Sequence, residues 1–287
     1  MHTASFSGLV RSLFAAALFS FMLSAQAADK GLLWKIEAPS GKQSYLFGTM
    51  HSDDARINDF SPKLEQALAD SDAFIMETLP PDDISVYFMQ DARLQDLLNE
   101  DELEQVRQLA DLNAMRDDIA MHMKPWLLAM VFDLPKPQSP FTQDVQLLDK
   151  ARNLNKQILG LESTAEHFGT LDSFSREDQL TMLRAVLKRT PEEKQRDFDL
   201  LLNAYLSGDT VSIGALDDKI TGGMLPASLW QKMRVKLIDE RNVRMAQRIV
   251  EQADQHAVFV AVGASHLAGD NGLLAKLRSA GYKVSAL

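Results

Sequence analysis

The chain has no cysteine. That absence removes disulfides, thiolate metal sites, cysteine nucleophiles and a lipid-modified N-terminal cysteine together. Cations are also scarce, with 30 Lys and Arg against 40 Asp and Glu, for a net charge of −10. So acidic a chain has no broad basic face to displace counterions, which argues against nucleic acid and against an anionic membrane as partner. Beyond residue 23 no apolar run is long enough to cross a bilayer. His-Glu-x-x-His, Gly-x-Gly-x-x-Gly and a phosphate loop are missing as well, which leaves dinucleotide and nucleoside triphosphate chemistry without support.

What is present starts with an export signal. Residues 1–12 carry one side-chain cation, Arg11, residues 13–23 are apolar, and Ala25-Gln26-Ala27 is a small-x-small cleavage site. The alternative, an uncleaved anchor, is disfavoured because the apolar run is short and ends at that cleavage site. The expectation is an exported protein, periplasmic in a Gram-negative cell, starting at Ala28 and holding no stable membrane anchor. Cleavage removes only Arg11, so the mature chain is one unit more acidic still. Residues 28–287 suffice for a single α/β domain with a helical insertion at about 82–134.

Two stretches organise the rest. Residues 44–51 and 257–266 are apolar, aromatic or β-branched runs that close on Gly48-Thr-Met-His51 and Gly263-Ala-Ser-His266. Each reads as a buried strand with an imidazole at its C-terminal mouth, the edge where open α/β sheets place ligands. Between them, residues 73–76 form an apolar strand running into Glu77 and stopped by Pro80-Pro81. The pattern predicts an α/β fold with a mixed, largely parallel sheet flanked by helices, the helical insertion lying between the two Gly-x-x-His strands.

Other signals fill in the order of elements. Residues 31–38 and 44–48 flank a turn and read as a β-hairpin, and Ser61-Pro62 caps a helix. Residues 82–118 are strongly acidic at helical spacing, and the methionines from Met115 to Met130, with Trp126 and Phe132, read as core filling. Residues 135–140, with three prolines, are the clearest linker and are expected to precede a second α/β unit. That unit has a helix at 142–155 and a strand at 157–162 ending on Glu162. Ser175 to Asp178 and Thr190 to Glu193 are capping boxes. A long helix spans about 227–252, and its arginines 234, 241, 244 and 248 recur at the spacing of a solvated face. A strand, the His266 turn, a helix and a last strand close the chain.

Two imidazoles and a carboxylate with coordination positions left open are the ligand set of a catalytic divalent metal. Histidine and carboxylate donors suit Zn, Mn, Co or Fe alike. His51, His266 and Glu77 are the candidate ligands, Glu77 being either the third ligand or a general base, and Glu162 is placed to hold a ligating ring. Ser265 resembles a nucleophile elbow only partly, since position 267 is leucine where glycine is needed.

These residues resemble the TraB/GumN family, which includes YbaP-like bacterial proteins and is related to the Tiki metalloproteases. The resemblance rests on both Gly-x-x-His motifs and Glu77, with further landmarks at Leu33-Trp34-Lys35, Lys124-Pro-Trp126, Gly160-Leu-Glu162 and Glu240-Arg-Asn242. It singles out Arg241 as a functional arginine, to stabilise an oxyanion or hold a substrate carboxylate. It implies a metal-dependent hydrolase acting on a peptide or a small amide or ester. The alternative it leaves open is a protein that captures a peptide or haem without cleaving it. One departure is Glu166-His167, where the family usually has Glu-Gln, so any role built on that glutamine is in doubt here.

Overall fold

The computed structural model describes residues 30–287, and the signal expected at 1–27 lies outside them. Six strands make one sheet: β1 (Leu33–Glu37), β2 (Gln43–Thr49), β3 (Ala73–Thr78), β4 (Gln157–Glu162), β5 (Val258–Gly263) and β6 (Lys283–Ala286). Their spatial order is β4-β3-β5-β2-β1-β6. The hairpin β1-β2 and the β1-β6 pair are antiparallel, while β2, β5, β3 and β4 pair in parallel. The mixed, largely parallel sheet flanked by helices is therefore as the sequence pattern predicts. The linker at 135–140 does not open a separate unit, because β4 pairs with β3 and completes the same sheet.

The central strands β2, β3 and β5 are largely buried on both faces, which is why they read as apolar runs. Val258, Val260 and Val262 of β5 pack with Ile36, Leu46 and Ile75 against Met245, Ile249 and Leu274 of the Glu240–Ala253 and Leu273–Ser279 helices. Their alternates Phe259 and Ala261 join Phe47 and Phe74 on the opposite face, beneath Leu64 and Leu68 of the Pro62–Ala69 helix and Leu147 of the Gln143–Asn153 helix. A third core is wholly helical. It unites Val106, Trp126, Phe132, Leu183 and Leu229 from both helical stretches inserted between β2 and β5.

The long helix expected at 227–252 is continuous but not uniform. Ala227–Arg234 and Glu240–Ala253 are α-helical, and the segment between them, Val235–Asp239, is a π-helical turn. Such turns accommodate an extra residue and are frequent beside functional sites. This one immediately precedes Arg241.

Candidate active site at the C-terminal edge of the sheet

Parallel pairing gathers the predicted residues along one edge. Thr49 of β2 lies opposite Gly263 of β5, so the two Gly-x-x-His turns leave adjacent strands almost in register. Glu77 sits near the end of β3 on the other side of β5, and Glu162 closes β4 beyond it. The glycines have a steric purpose here. A Cβ on Gly48 would stand 2.6 Å from Leu267 Cδ1 and 3.1 Å from Ala264 Cα, inside the turn that carries His266. A Cβ on Gly263 would stand 3.3 Å from the Glu77 carboxylate.

His266 is buried, and its ring is held from behind. Nδ1 lies 2.7 Å from Asn242 Oδ1, whose amide nitrogen donates in turn to the Asn271 carbonyl at 2.9 Å. With the amide so oriented, Nδ1 carries the proton and Nε2 presents a lone pair to the crevice. That nitrogen is 3.7 Å from Glu77 Oε1 and 3.3 Å from Arg241 Nη1. Glu77 Oε1 accepts the Gly263 N–H at 2.7 Å, and Oε2 accepts Arg241 Nη2 at 2.5 Å.

Arg241 is the hub. It is 7% exposed, and its Nε and Nη2 donate to Glu162 Oε2 at 2.9 and 2.8 Å. Nη1 also reaches the Leu237 carbonyl, in the π-turn, at 3.3 Å. His167 Nδ1 lies 3.2 Å from both Arg241 Nη2 and Glu162 Oε2. Arg244 pairs with Glu162 Oε1, and Arg248 grips both oxygens of Glu166. The arginine ladder is therefore not a solvated face at 241, 244 and 248. Glu162, buried at the mouth of β4, draws Arg241 and Arg244 down onto the sheet because a buried charge must be paired, while Arg248 and Glu166 pair at the half-exposed edge.

The electrostatics follow from burial and pairing. Burial opposes the Glu77 charge, but His266 when protonated, the Arg241 cation and the Gly263 N–H hold its carboxyl well below the usual carboxylate range. Burial pushes His266 itself down to about 4, so at neutral pH the ring is uncharged and Arg241 is the cation that balances Glu77. Glu162 is likewise held at about 2, its burial outweighed by His167, Arg241 and Arg244.

His51 stands at the rim, with a side chain 73% exposed. Its Nδ1 is 3.3 Å from Asp144 Oδ2, and Asp144 Oδ1 accepts the Thr49 hydroxyl at 2.7 Å. The Asp144 hydrogen bond raises the His51 pKa, helped by the Glu77 charge across the crevice. Beneath the turn, Gln143 Oε1 accepts the Met50 N–H at 3.0 Å, and the Tyr205 hydroxyl lies 2.8 Å from both Gln143 Oε1 and the Gly48 carbonyl. Asp144 and Asn242, rather than Glu162, thus fasten the two imidazoles, and Glu162 fastens Arg241. Sequence reasoning passed over Asp144 and Gln143, whose place at a helix start signals nothing else. Asn242 was visible only as part of the Glu240-Arg-Asn242 landmark.

Two of the donors that a divalent ion would use lie close together at the centre. An Nε2 lone pair 3.7 Å from a carboxylate oxygen is spaced as two ligands of one ion are, roughly 3 to 4 Å apart. Among the described residues, no three His, Asp or Glu side chains are gathered closely enough to hold an ion. The structure brings His266 and Glu77 together as a pair and leaves His51 at the rim, on Asp144. A recess of about 390 Å³ lined by Phe88, Met89, Lys124 and Arg176 lies in the helical part, apart from these residues.

Residues 32–286 match the sequence pattern of the TraB/PrgY/gumN family. The chain belongs to that family. Its relatives include an uncharacterized protein of Treponema pallidum (strain Nichols), 23% identical over 263 residues that cover 83% of this chain and 77% of the relative. They also include Metalloprotease TIKI1 of Danio rerio and of Homo sapiens, 24% and 25% identical over 90% of this chain. The chain spans 63% and 62% of those two proteins, less than two thirds of their length. No solved structure shows a significant match. His167 has a defined place, in contact with both Arg241 and Glu162.

Proposed function

We propose that the protein is a metal-dependent hydrolase of peptides or related amides and esters, acting after export, in the periplasm of a Gram-negative cell. The observation that carries this reading is the His266–Glu77 pair: a buried neutral imidazole whose tautomer Asn242 sets, its Nε2 facing an ionised carboxylate. Similarity to the TIKI1 metalloproteases supports it.

In this reading His266 Nε2 and Glu77 hold the ion, joined by His51, whose ring Asp144 orients. When bound, a divalent ion would supply Lewis acidity, acidifying water and polarising the carbonyl to be attacked. Glu77, among the described residues the one carboxylate paired with both His266 and Arg241, is the group that would accept the proton from water if it does not serve as a ligand. Arg241, whose N–H groups are shared among Glu162, Glu77, His266 and the Leu237 carbonyl, would release one of them to hold a substrate carboxylate or charge developing on the carbonyl oxygen. Burial of the centre strengthens each of these interactions relative to water.

The test is metal content and peptidase activity of protein purified without chelators. Wild type is expected to carry or take up Mn²⁺, Co²⁺ or Zn²⁺ and to cleave a peptide library. His266→Ala and Glu77→Gln should abolish cleavage. Full cleavage after His266→Ala would remove this reading. Intact mass of the exported protein should give Ala28 as its first residue.

A further inference from the structure

We propose that the Arg241 guanidinium is an internal competitor for the site, holding the His266 Nε2 lone pair that the ion needs, so that metal uptake requires Arg241 to swing off His266. The inference rests on the hydrolase reading, and it concerns a step before any chemistry. An imidazole nitrogen has one lone pair. Since Nδ1 donates to Asn242, the only acceptor on the ring is Nε2, and Arg241 Nη1 lies 3.3 Å from it. A guanidinium has donors and no acceptor, so this contact can only be N–H to nitrogen. Metal coordination would use the same electron pair. A divalent ion bonded to Nε2 would also press on a buried like charge at short range.

The surroundings allow the exchange without dismantling the site. Arg241 remains tied through Nε and Nη2 to Glu162, which is itself anchored by Arg244 and His167. Its Nη1 already has a second acceptor in the Leu237 carbonyl of the π-turn. Nη1 carries two N–H groups and one of them stays on that carbonyl, so leaving His266 frees only the other, which crevice water can accept. Glu77 loses part of the Arg241 contact in the same movement, which returns Oε2 to the crevice. The π-turn acquires a purpose in this account, presenting the carbonyl that keeps hold of Nη1 as its other N–H leaves His266.

A binding-competent state populated only in part weakens the apparent affinity by that fraction. Replacing Arg241 should therefore tighten metal binding, the reverse of what loss of a site-building residue would do. Co²⁺ alone, titrated into the full mature chain and read by its visible absorption and by equilibrium dialysis, is the probe. Arg241→Lys and Arg241→Gln are expected to bind about tenfold more tightly than wild type, about 1.4 kcal/mol. The lysine variant keeps the positive charge, so tightening in both sets aside a simple change in net charge. Adding His266→Ala should erase the gain. Equal or weaker binding by both variants would overturn the competition and leave the hydrolase reading standing. Failure of every form to bind Co²⁺ through His266 would overturn both. Should the variants not fold, wild type alone decides in a stopped-flow experiment. Withdrawal of Arg241 before binding makes the uptake rate level off as Co²⁺ rises, and a rate that climbs linearly to the highest concentration refutes the inference.

Discussion

Converting Glu162 to glutamine tests the electrostatic frame of the site while leaving shape almost unchanged. The Glu162 side chain is fully buried, and its two oxygens take bonds from Arg241, Arg244 and His167. Two routes give the cost. Depression of its pKa from the ordinary 4.5 to about 2 corresponds to about 3 kcal/mol. Removal of one partner from a buried pair generally costs about 3 to 5 kcal/mol. The agreement sets the expectation at about 3 kcal/mol, a large part of a typical stability of roughly 5 to 15 kcal/mol. Urea unfolding of the metal-free protein at pH 7 measures it. The pH dependence has a definite sign. The folded carboxyl gives up its proton more readily than the unfolded one, so the contribution is complete above about pH 5 and disappears as pH falls from 4.5 toward 2. Glu162→Gln should therefore lie well below wild type at pH 7 and approach it in acid. A loss under about 1 kcal/mol at pH 7, or a gap that does not narrow as pH falls, would show that Arg241 does not depend on Glu162.

Gly48→Ala should destabilise by about 1 to 3 kcal/mol through overpacking, because Ala264 Cα is backbone and cannot yield as Leu267 can, and thermal unfolding reads the loss. Asp144→Asn should bring the His51 pKa down toward its ordinary value, seen by NMR titration of the ring, since the Asp144 hydrogen bond is the main cause of its elevation. Asp144→Ala should weaken Co²⁺ binding about 10- to 100-fold, as loss of a partner that orients a ligating histidine does. Alanine at His51 and at His266 together should reduce binding little more than His266→Ala alone, because ligands of one ion act as a unit.

The parts of this molecule that could be read from the chain are those in which a local pattern carries the information. Apolar runs bounded by turn residues located β1, β2, β3 and β5, and capping boxes placed the helix starts at Ser175 and Thr190. The grouping of Gly48, Gly263 and Glu77 at one sheet edge followed from the topology of parallel strands. Contacts made across long separations were invisible. Arg241 and Arg244 read as solvated because their partner, Glu162, lies 79 and 82 residues away in the chain. Asp144 sits in the first turn of its helix, where an acidic residue is ordinarily explained by the helix dipole, and that explanation conceals its bond to His51. The linker at 135–140 was visible as a break in regular structure. The return of the chain to the same sheet was not, since pairing of β4 with β3 is decided by the sheet and not by the loop.

The π-turn at Val235–Asp239 makes a crankshaft of the long helix. Upstream of it Leu229 belongs to the helical core, and downstream Met245 and Ile249 belong to the core beneath the sheet. One residue in an α-helix corresponds to a rotation of about 100°. Deleting a single residue between 235 and 239 would restore a regular helix, but the two halves could no longer both present their apolar stripes to their own cores. If the downstream half kept its seat on the sheet, Leu229 would turn out of the helical core. If the upstream half kept its seat, Arg241 would turn away from Glu77. A length change of one residue in this segment is thus coupled to the choice between an intact helical body and an intact crevice, whereas an insertion in the exposed 135–140 loop carries no such choice.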